Sequence, residues 1–421
     1  MMLTRIIRSP MADTEIQDSK KTVRRKRTSK ARLHIQLFTI MAVIYYVLNI
    51  IFPTDYAKDA DNSLRIYPQI AAAALAVVSL WISFIHIRTL WKNKMMRAFL
   101  LLLGLSFLYI LYPMKPAENT AYVLRTYMAI ITMCALYVML VRVKGEGFWM
   151  KHVYIIYIFQ LAFCLYSLFM DRMIFASSTA KEFDSNAGFM LITCIPLALT
   201  IPTKRFRVYI YGLLMLACLY SGQRSAALAA AVSLPFCLWY LRGSIRKLDI
   251  AILLILGVVI IIPVLTEALQ NIQLRNEIDM NRGSMGSGRT IFWAIVVSDF
   301  FEQGPIHLLF GNGTDSVAIL LDRTYGLAIG AHNGWLDILY TFGFLGLFLY
   351  ARIFYLFLRR NKTISTTVPD YKNMYLILFL IFFVKSITSH GYFDISAVPF
   401  LTSVAMVEGM RDKQLSKTST P

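Results

Sequence analysis

Apolar runs long enough to cross a lipid bilayer recur along almost the whole of this chain, and that pattern excludes most of what a polypeptide can fold into. A hydrocarbon core of about 30 Å takes about 20 helical residues to cross. No water reaches backbone N–H and C=O groups inside it, so only helices and closed barrels are tolerated. Of 421 residues, 57% are hydrophobic and 16% charged, against about 45–50% and about 25% in an ordinary soluble domain. The runs lack the short alternation of a membrane β-barrel. The sequence therefore reads as an all-α polytopic membrane protein. About 12 segments are expected to span, near residues 35–52, 66–86, 98–112, 121–141, 152–170, 187–202, 208–220, 225–241, 248–266, 333–351, 373–388 and 395–408.

Lysine and arginine set the expected orientation. With the N-terminus in the cytoplasm, the tail KKTVRRKRTSKAR and the loops WKNKMMR, VRVKGEGFWMK, TKRFR, RGSIRK and LRRNKTISTTVPDYK share one side, which then holds most of the 43 basic residues. The intervening loops are acidic or balanced and face the periplasm or cell exterior. This divides the chain into a basic cytoplasmic tail (1–34), nine spans (35–266), a large periplasmic loop (267–332), three spans (333–410) and a short cytoplasmic tail (411–421). The net charge of +19 suits a flank that orients the first span and rests on anionic headgroups better than it suits a nucleic-acid partner. The polar lead before the first span is too long for a cleaved signal peptide and no small-residue cleavage site follows, so an uncleaved anchor is expected. Cys134, Cys164, Cys194, Cys218 and Cys237 all fall inside expected spans, without disulfide or metal spacing, and read as small packing residues.

The stretch from Val208 to Leu241 carries one arginine. As a single helix it would be roughly 50 Å long, so a turn at Ser221-Gly222-Gln223-Arg224 is expected to split it into two spans, with Arg224 at the outer mouth of the second. At mid-membrane an arginine costs roughly 2.5–3.5 kcal/mol on insertion scales, so Arg224 faces either a wet cavity, an anion or the interface to which it snorkels. Ser221 is a candidate cap for the helix that follows.

The loop of about 65 residues between the ninth and tenth spans is long enough to be functional or to have structure of its own. It holds NRGSMGSGRTIFWAIVVSDFFEQGP, in which Gly283, Gly286 and Gly288 precede Arg289, and Thr290 is a candidate cap for a helix from Ile291 to Phe301. Glycine-rich backbone entering a helix offers amides to a phosphate, and arginine adds a bidentate contact. The competing reading is a helix on the membrane surface, buried through Phe292, Trp293 and Val296. The loop ends in GPIHLLFGNGTDS and AHNGWLDILYTFGFLGLFLY, where His332 and Asn333 open the tenth span. A histidine of near-neutral pKa can act as a general base, and it can equally be structural. Asp337 lies about 140° around a helix from His332, a poor place from which to orient the imidazole. His307, His332, His390 and Asp394 lack metal-ligand spacing. Neither a metal nor a cofactor is expected. Arg125 and Lys385, within or near spans, read as further anion contacts or as packing devices.

Taken in order, SGQRSAAL, GSGRTIFWA with FGNGTDS, and AHNGWLDILYTFGFLGL resemble the O-antigen ligase and O-antigen polymerase family, bacterial inner-membrane glycosyltransferases with a large periplasmic loop between late spans. The resemblance covers roughly Ala217 to Tyr350. It implies metal-independent transfer of a glycan from undecaprenyl pyrophosphate to a sugar hydroxyl on the periplasmic face. It also implies that Arg224 and Arg289 contact the donor pyrophosphate and that His332 activates the acceptor, with Gly288, Asn333 and Arg125 as further substrate-binding candidates. The implied partners are the lipid-linked donor, a glycan or lipid A core acceptor, membrane lipid and, as a candidate, a chain-length regulator. Polymerisation of O-antigen or exopolysaccharide repeat units and ligation of polymer to lipid A core both fit. A transporter or flippase is the alternative from another class, although no two related halves are evident in the sequence.

Overall fold

A computed structural model describes residues 10–52, 66–109, 116–142, 146–176, 185, 187–243, 266, 289–313, 315–326, 329–389 and 397–418, with side chains at all of these except 10–30, 116–127 and 146. Among the described residues every regular element is helical. They are α1 (Pro10–Ile51), α2 (Ile66–Ile85), α3 (Ile87–Lys92), α4 (Lys94–Leu108), α5 (Pro116–Arg142), α6 (Glu146–Ala176), α7 (Ala187–Ala198), α8 (Lys204–Tyr220), α9 (Arg224–Leu241), α10 (Arg289–Glu302), α11 (Pro305–Phe310), α12 (Ser316–Tyr325), α13 (Gly334–Thr367), a 3-10 turn (Pro369–Tyr371), α14 (Lys372–Thr388) and α15 (Val398–Thr418).

Six described segments are long and apolar enough to cross a membrane: Ala31–Ile51, Ile66–Ile85, Gly147–Ala176, Arg224–Leu241, Gly334–Thr367 and Pro369–Thr388. They fall on the first, second, fifth, eighth, tenth and eleventh expected spans, and the protein is a multi-pass membrane protein. The third, fourth, sixth, seventh and twelfth expected spans fall on α4, α5, α7, α8 and α15, which are shorter or more polar over their described length. The ninth, near 248–266, lies outside the described residues apart from Thr266. All five cysteines are buried and free.

One large apolar core runs through the helices from α1 to α9 and on through α13, α14 and α15. At one end it closes on a buried ionic network. Glu408, fully buried, accepts from Arg360, from Asn93 Nδ2 at 2.9 Å and from the Tyr375 hydroxyl at 3.3 Å, and Arg411 Nη1 lies 3.3 Å from it. Asp412 accepts from the Tyr137 hydroxyl at 2.6 Å and from Asn93 Nδ2 at 2.8 Å. Asn93 also caps α4, its Oδ1 accepting from the Met95 and Met96 amides at 2.8 and 3.1 Å. The network thus ties α4, α5, α13, α14 and α15 together, at the ends that border segments the charge pattern places on the basic side.

Of the long segment expected as a loop, the described part from Arg289 to Tyr325 holds three helices with a small core of their own. Phe292, Val296, Phe300, Val317, Leu320, Leu321, Ala331 and Tyr340 are buried together. Phe292 and Val296 therefore face protein, which corrects the reading that buried them in lipid. This unit is locked to α13 by two glycines. Gly343 (φ 63°, ψ −163°) breaks α13, and Gly311 (φ 80°) packs into the break. A Cβ on Gly311 would lie 2.4 Å from the Thr341 carbonyl carbon, and one on Gly343 would lie 2.5 Å from the Leu309 carbonyl carbon. The carbonyls released by the break are satisfied from the same loop: Asn312 N donates to Tyr340 O at 3.0 Å and Gly313 N to Thr341 O at 2.9 Å.

Candidate active site

Arg224 opens α9 at the turn the sequence predicts. Gly222 takes the left-handed conformation there (φ 69°), a region open to glycine because it has no Cβ. The cap differs from expectation. Gln223 occupies the N-cap position, whereas the Ser221 hydroxyl donates back to Cys218 O at 2.7 Å and accepts from Gln223 N at 3.3 Å. Ser221 is therefore spent on the turn itself. Around it, Ser185 N donates to Ser221 O at 2.9 Å, and the Ser185 hydroxyl donates to Asp171. A Cβ on Gly188 would lie 2.3 Å from Ser221 Oγ. The Arg172 guanidinium lies over the Tyr220 ring, 4.9 Å from its centroid. Arg224 is half-buried, so part of its surface remains accessible.

Arg289 approaches this corner from α10. Its Nη1 donates to Thr388 O at 3.1 Å, and Ser225, the neighbour of Arg224, donates from Oγ to the same oxygen at 3.2 Å. The guanidinium and the hydroxyl are thus at most two hydrogen-bond lengths apart. Thr388 ends α14, where unsatisfied carbonyls favour cations, while the start of α9 beside it presents amides that favour anions. One turn back on α14, buried Lys385 lies with its ammonium 5.8 Å from the centroid of the Phe189 ring. Thr290 falls inside α10 instead of capping it.

His332 sits in the left-handed conformation (φ 53°) between two fixed neighbours. Before it, Ala331 donates its N–H to Asp337 Oδ1 at 3.0 Å and accepts at its carbonyl from Trp293 Nε1 at 2.8 Å. After it, Asn333 caps α13, its Oδ1 accepting from Trp335 N at 3.0 Å and Leu336 N at 3.3 Å, while its carbonyl accepts from Asp337 N at 2.9 Å. Asp337 thus reaches the backbone just before His332, at a partner that lies ahead of the helix and that helix geometry alone did not predict. The Oδ1 of Asn333 is committed to the cap, so any substrate contact falls to its Nδ2. Because Trp293 is four residues from Arg289 on α10, one helix face reaches both the Thr388 corner and the His332 loop.

Gly283, Gly286, Gly288, His390 and Asp394 lie outside the described residues, and Arg125 is placed on α5 with its side chain outside them. His307 lies on α11, where its carbonyl accepts from Gly311 N at 2.6 Å. Among the described residues no group of three or more His, Cys, Asp or Glu is gathered as metal ligands would be. Ser225, Thr388, Ser185 and Gly188 were not visible as site residues in the sequence. Thr388 acts through its main chain, which no side-chain pattern reveals. The spacing of Arg289 and Trp293 was a usable signal for the two-ended face of α10.

The described geometry of this multi-pass membrane protein therefore has a half-buried arginine at a helix start, a second arginine on a neighbouring carbonyl, and a histidine just before the cap of a span. The family described as O-antigen ligase matches residues 209–351, a stretch that contains Arg224, Arg289 and His332. Over that stretch, about a third of the 421 residues, the chain is similar to the O-antigen ligase family. No curated protein matches the chain.

Proposed function

We propose that the protein transfers a glycan from undecaprenyl pyrophosphate to a sugar hydroxyl at the periplasmic face of the inner membrane, polymerising O-antigen or exopolysaccharide repeat units. The observation that carries this reading is the meeting of Arg289 with Ser225, the neighbour of Arg224, on the Thr388 carbonyl. In the transfer, the bond from the sugar anomeric carbon to the pyrophosphate oxygen breaks and the acceptor oxygen bonds to that carbon. The acceptor proton passes to the His332 imidazole, and undecaprenyl pyrophosphate leaves with the bonding electron pair. Negative charge grows on the leaving group. Two guanidiniums fixed in a partly dry corner stabilise it without the reorganisation that water would need. A neutral imidazole suits partial deprotonation of an attacking alcohol. The role is thus metal-independent, with charge supplied by the arginines.

The description of the matching family as O-antigen ligase favours a second reading, transfer of finished polymer to lipid A core. The two are separated by the lipopolysaccharide gel of a clean deletion, complemented with wild type, Arg224→Ala and His332→Ala. Core carrying one repeat unit identifies a polymerase. Bare core with polymer retained on the lipid carrier identifies a ligase. Full complementation by Arg224→Ala or His332→Ala would remove that residue from the mechanism.

A further inference from the structure

We infer that Trp293 and Asp337 are positioning residues for His332, acting together through the single peptide-linked residue Ala331. The inference rests on the reading of His332 as the group that takes the acceptor proton.

His332 carries a non-glycine residue at φ 53°, a conformation that side chains other than glycine adopt uncommonly and at a cost. Such a residue persists where its surroundings over-determine it. Here they do so on both sides. The Ala331 carbonyl is fixed by the Trp293 indole at 2.8 Å and the Ala331 amide by Asp337 at 3.0 Å. Ala331 is itself fully buried, so neither polar group has bulk water as a substitute partner. On the far side, Asn333 is locked as the cap of α13. The direction in which Cβ of His332 leaves the chain is therefore set by bonds that do not involve its imidazole.

The two anchors come from different places, and that gives the arrangement its consequence. Asp337 belongs to α13, one turn past the cap. Trp293 belongs to α10, the helix that starts with Arg289. Through Trp293, the arginine at the Thr388 corner and the histidine at the mouth of α13 are spaced by one rigid helix face. α10 is in turn held against α13 by a second polar cluster, in which Gln303 Nε2 and the Tyr340 hydroxyl both donate to Asp299 Oδ2, at 2.6 and 2.5 Å, and Asn312 Nδ2 donates to Gln303 Oε1 at 2.7 Å. A proton acceptor and a leaving-group site must keep one distance if attack and departure are to be concerted, and small displacements are costly in rate. Trp293 and Asp337 supply that distance without touching substrate.

The test is steady-state kinetics of the purified full-length protein in lipid nanodiscs with a lipid-linked glycan donor. Trp293→Phe keeps the ring and removes the N–H. It should lower kcat by about tenfold or more while donor KM stays within about twofold, because the arginine corner is intact. Asp337→Asn keeps an acceptor for the Ala331 amide and should retain most of kcat, whereas Asp337→Ala should fall as Trp293→Phe does. Both losses should vanish on a His332→Ala background, where there is no imidazole left to misplace. Full kcat in Trp293→Phe and Asp337→Ala beside a His332→Ala reduced to a slow but measurable residual rate overturns the positioning role alone. Equal fractional losses with and without His332 also overturn it, since they mean general damage. Wild-type activity in His332→Ala instead overturns the underlying reading of the site. The paired Asp337 variants decide the question if Trp293→Phe loses its folded state.

Discussion

Ser225 and Arg289 donate to one acceptor, the main-chain oxygen of Thr388, at 3.2 and 3.1 Å. Helices α9, α10 and α14 thereby meet at one atom, and the residue beside Ser225 is Arg224. Removing Arg289 should therefore have two effects, loss of a charge for the leaving group and release of the start of α10. Arg289→Ala is expected to lower transfer by about 10²–10³-fold, the range seen when one preorganised donor is lost. Arg289→Lys should also be poor, because an ammonium cannot both hold the carbonyl and present a planar fork to a phosphate. Transfer assays on membranes matched for protein level check this. A lysine variant at wild-type rate would reduce Arg289 to a point charge.

Ser225 gives a graded control for the same corner. Ser225→Ala deletes one hydrogen bond, worth about 0.5–1.5 kcal/mol, and leaves both arginines in place. Donor KM should rise by no more than about tenfold with kcat preserved, the factor that 1.4 kcal/mol sets. A collapse of kcat measured in the same assay would give the hydroxyl itself a chemical role.

The break in α13 makes a prediction of the opposite kind, about folding. Gly311 and Gly343 are both left-handed, and each would place a Cβ within 2.5 Å of the other segment's backbone. Gly311→Ala and Gly343→Ala should each cost well over the roughly 1–2 kcal/mol of a left-handed alanine, because backbone must also move. Gly326 is left-handed as well (φ 72°), yet nothing lies within 4 Å of its Cβ position. Gly326→Ala should therefore cost only the conformational term. Melting of the detergent-solubilised variants ranks the three, and equal melting temperatures would deny the interlock.

These residues also mark how far the sequence could be read. Span-length apolar runs placed α2, α6, α9, α13 and α14 because their length and composition are local properties. The turn before Arg224 was legible for the same reason. What stayed hidden depends on contacts between distant segments. Nothing local to Asp337 announces that it holds the Ala331 amide, and nothing local to Thr388 announces a carbonyl shared by two helices. Phe292 and Val296 had the periodicity of a lipid-facing stripe, but a stripe does not reveal whether lipid or protein covers it. The small core of α10, α12 and α13 covers this one. His332 stood out by residue type as a candidate, whereas its left-handed backbone is visible only in the structure, between neighbours that are themselves hydrogen-bonded.

Asn333 separates capping from recognition. Its Oδ1 accepts from two α13 amides, a role that aspartate fills as well. Asn333→Asp should therefore melt with the wild type, and Asn333→Ala should lose about 0.5–2 kcal/mol. If the Nδ2 meets substrate, Asn333→Asp loses transfer at wild-type stability, since it exchanges a donor for an acceptor and adds charge beside an anionic donor. Wild-type transfer by Asn333→Asp would assign the residue to the cap alone.

The far end of the helices provides a contrast in which stability and activity should separate. Glu408 is fully buried and serves Arg360, Arg411, Asn93 and Tyr375 at once. Beyond the Gly343 break, some 17 residues of α13 lead to Arg360, about 25 Å of helix at 1.5 Å per residue, so the network lies on the other side of that break from Asn333. Glu408→Ala leaves two nearly buried guanidiniums facing each other without their shared carboxylate, a change that costs about 3–5 kcal/mol where one partner of a buried pair is removed. Replacing the whole group by apolar residues of similar size is often neutral. Glu408→Leu combined with Arg360→Met and Arg411→Leu should therefore melt above Glu408→Ala, despite carrying more substitutions. In all of these variants, transfer per folded molecule should stay near wild type, because Arg224, Arg289 and His332 keep their partners. Thermal melts paired with activity normalised to the monodisperse fraction test both halves. A normalised rate that falls in step with melting temperature would couple the two ends of α13, and the ionic network would then belong to the catalytic cycle as well as to the fold.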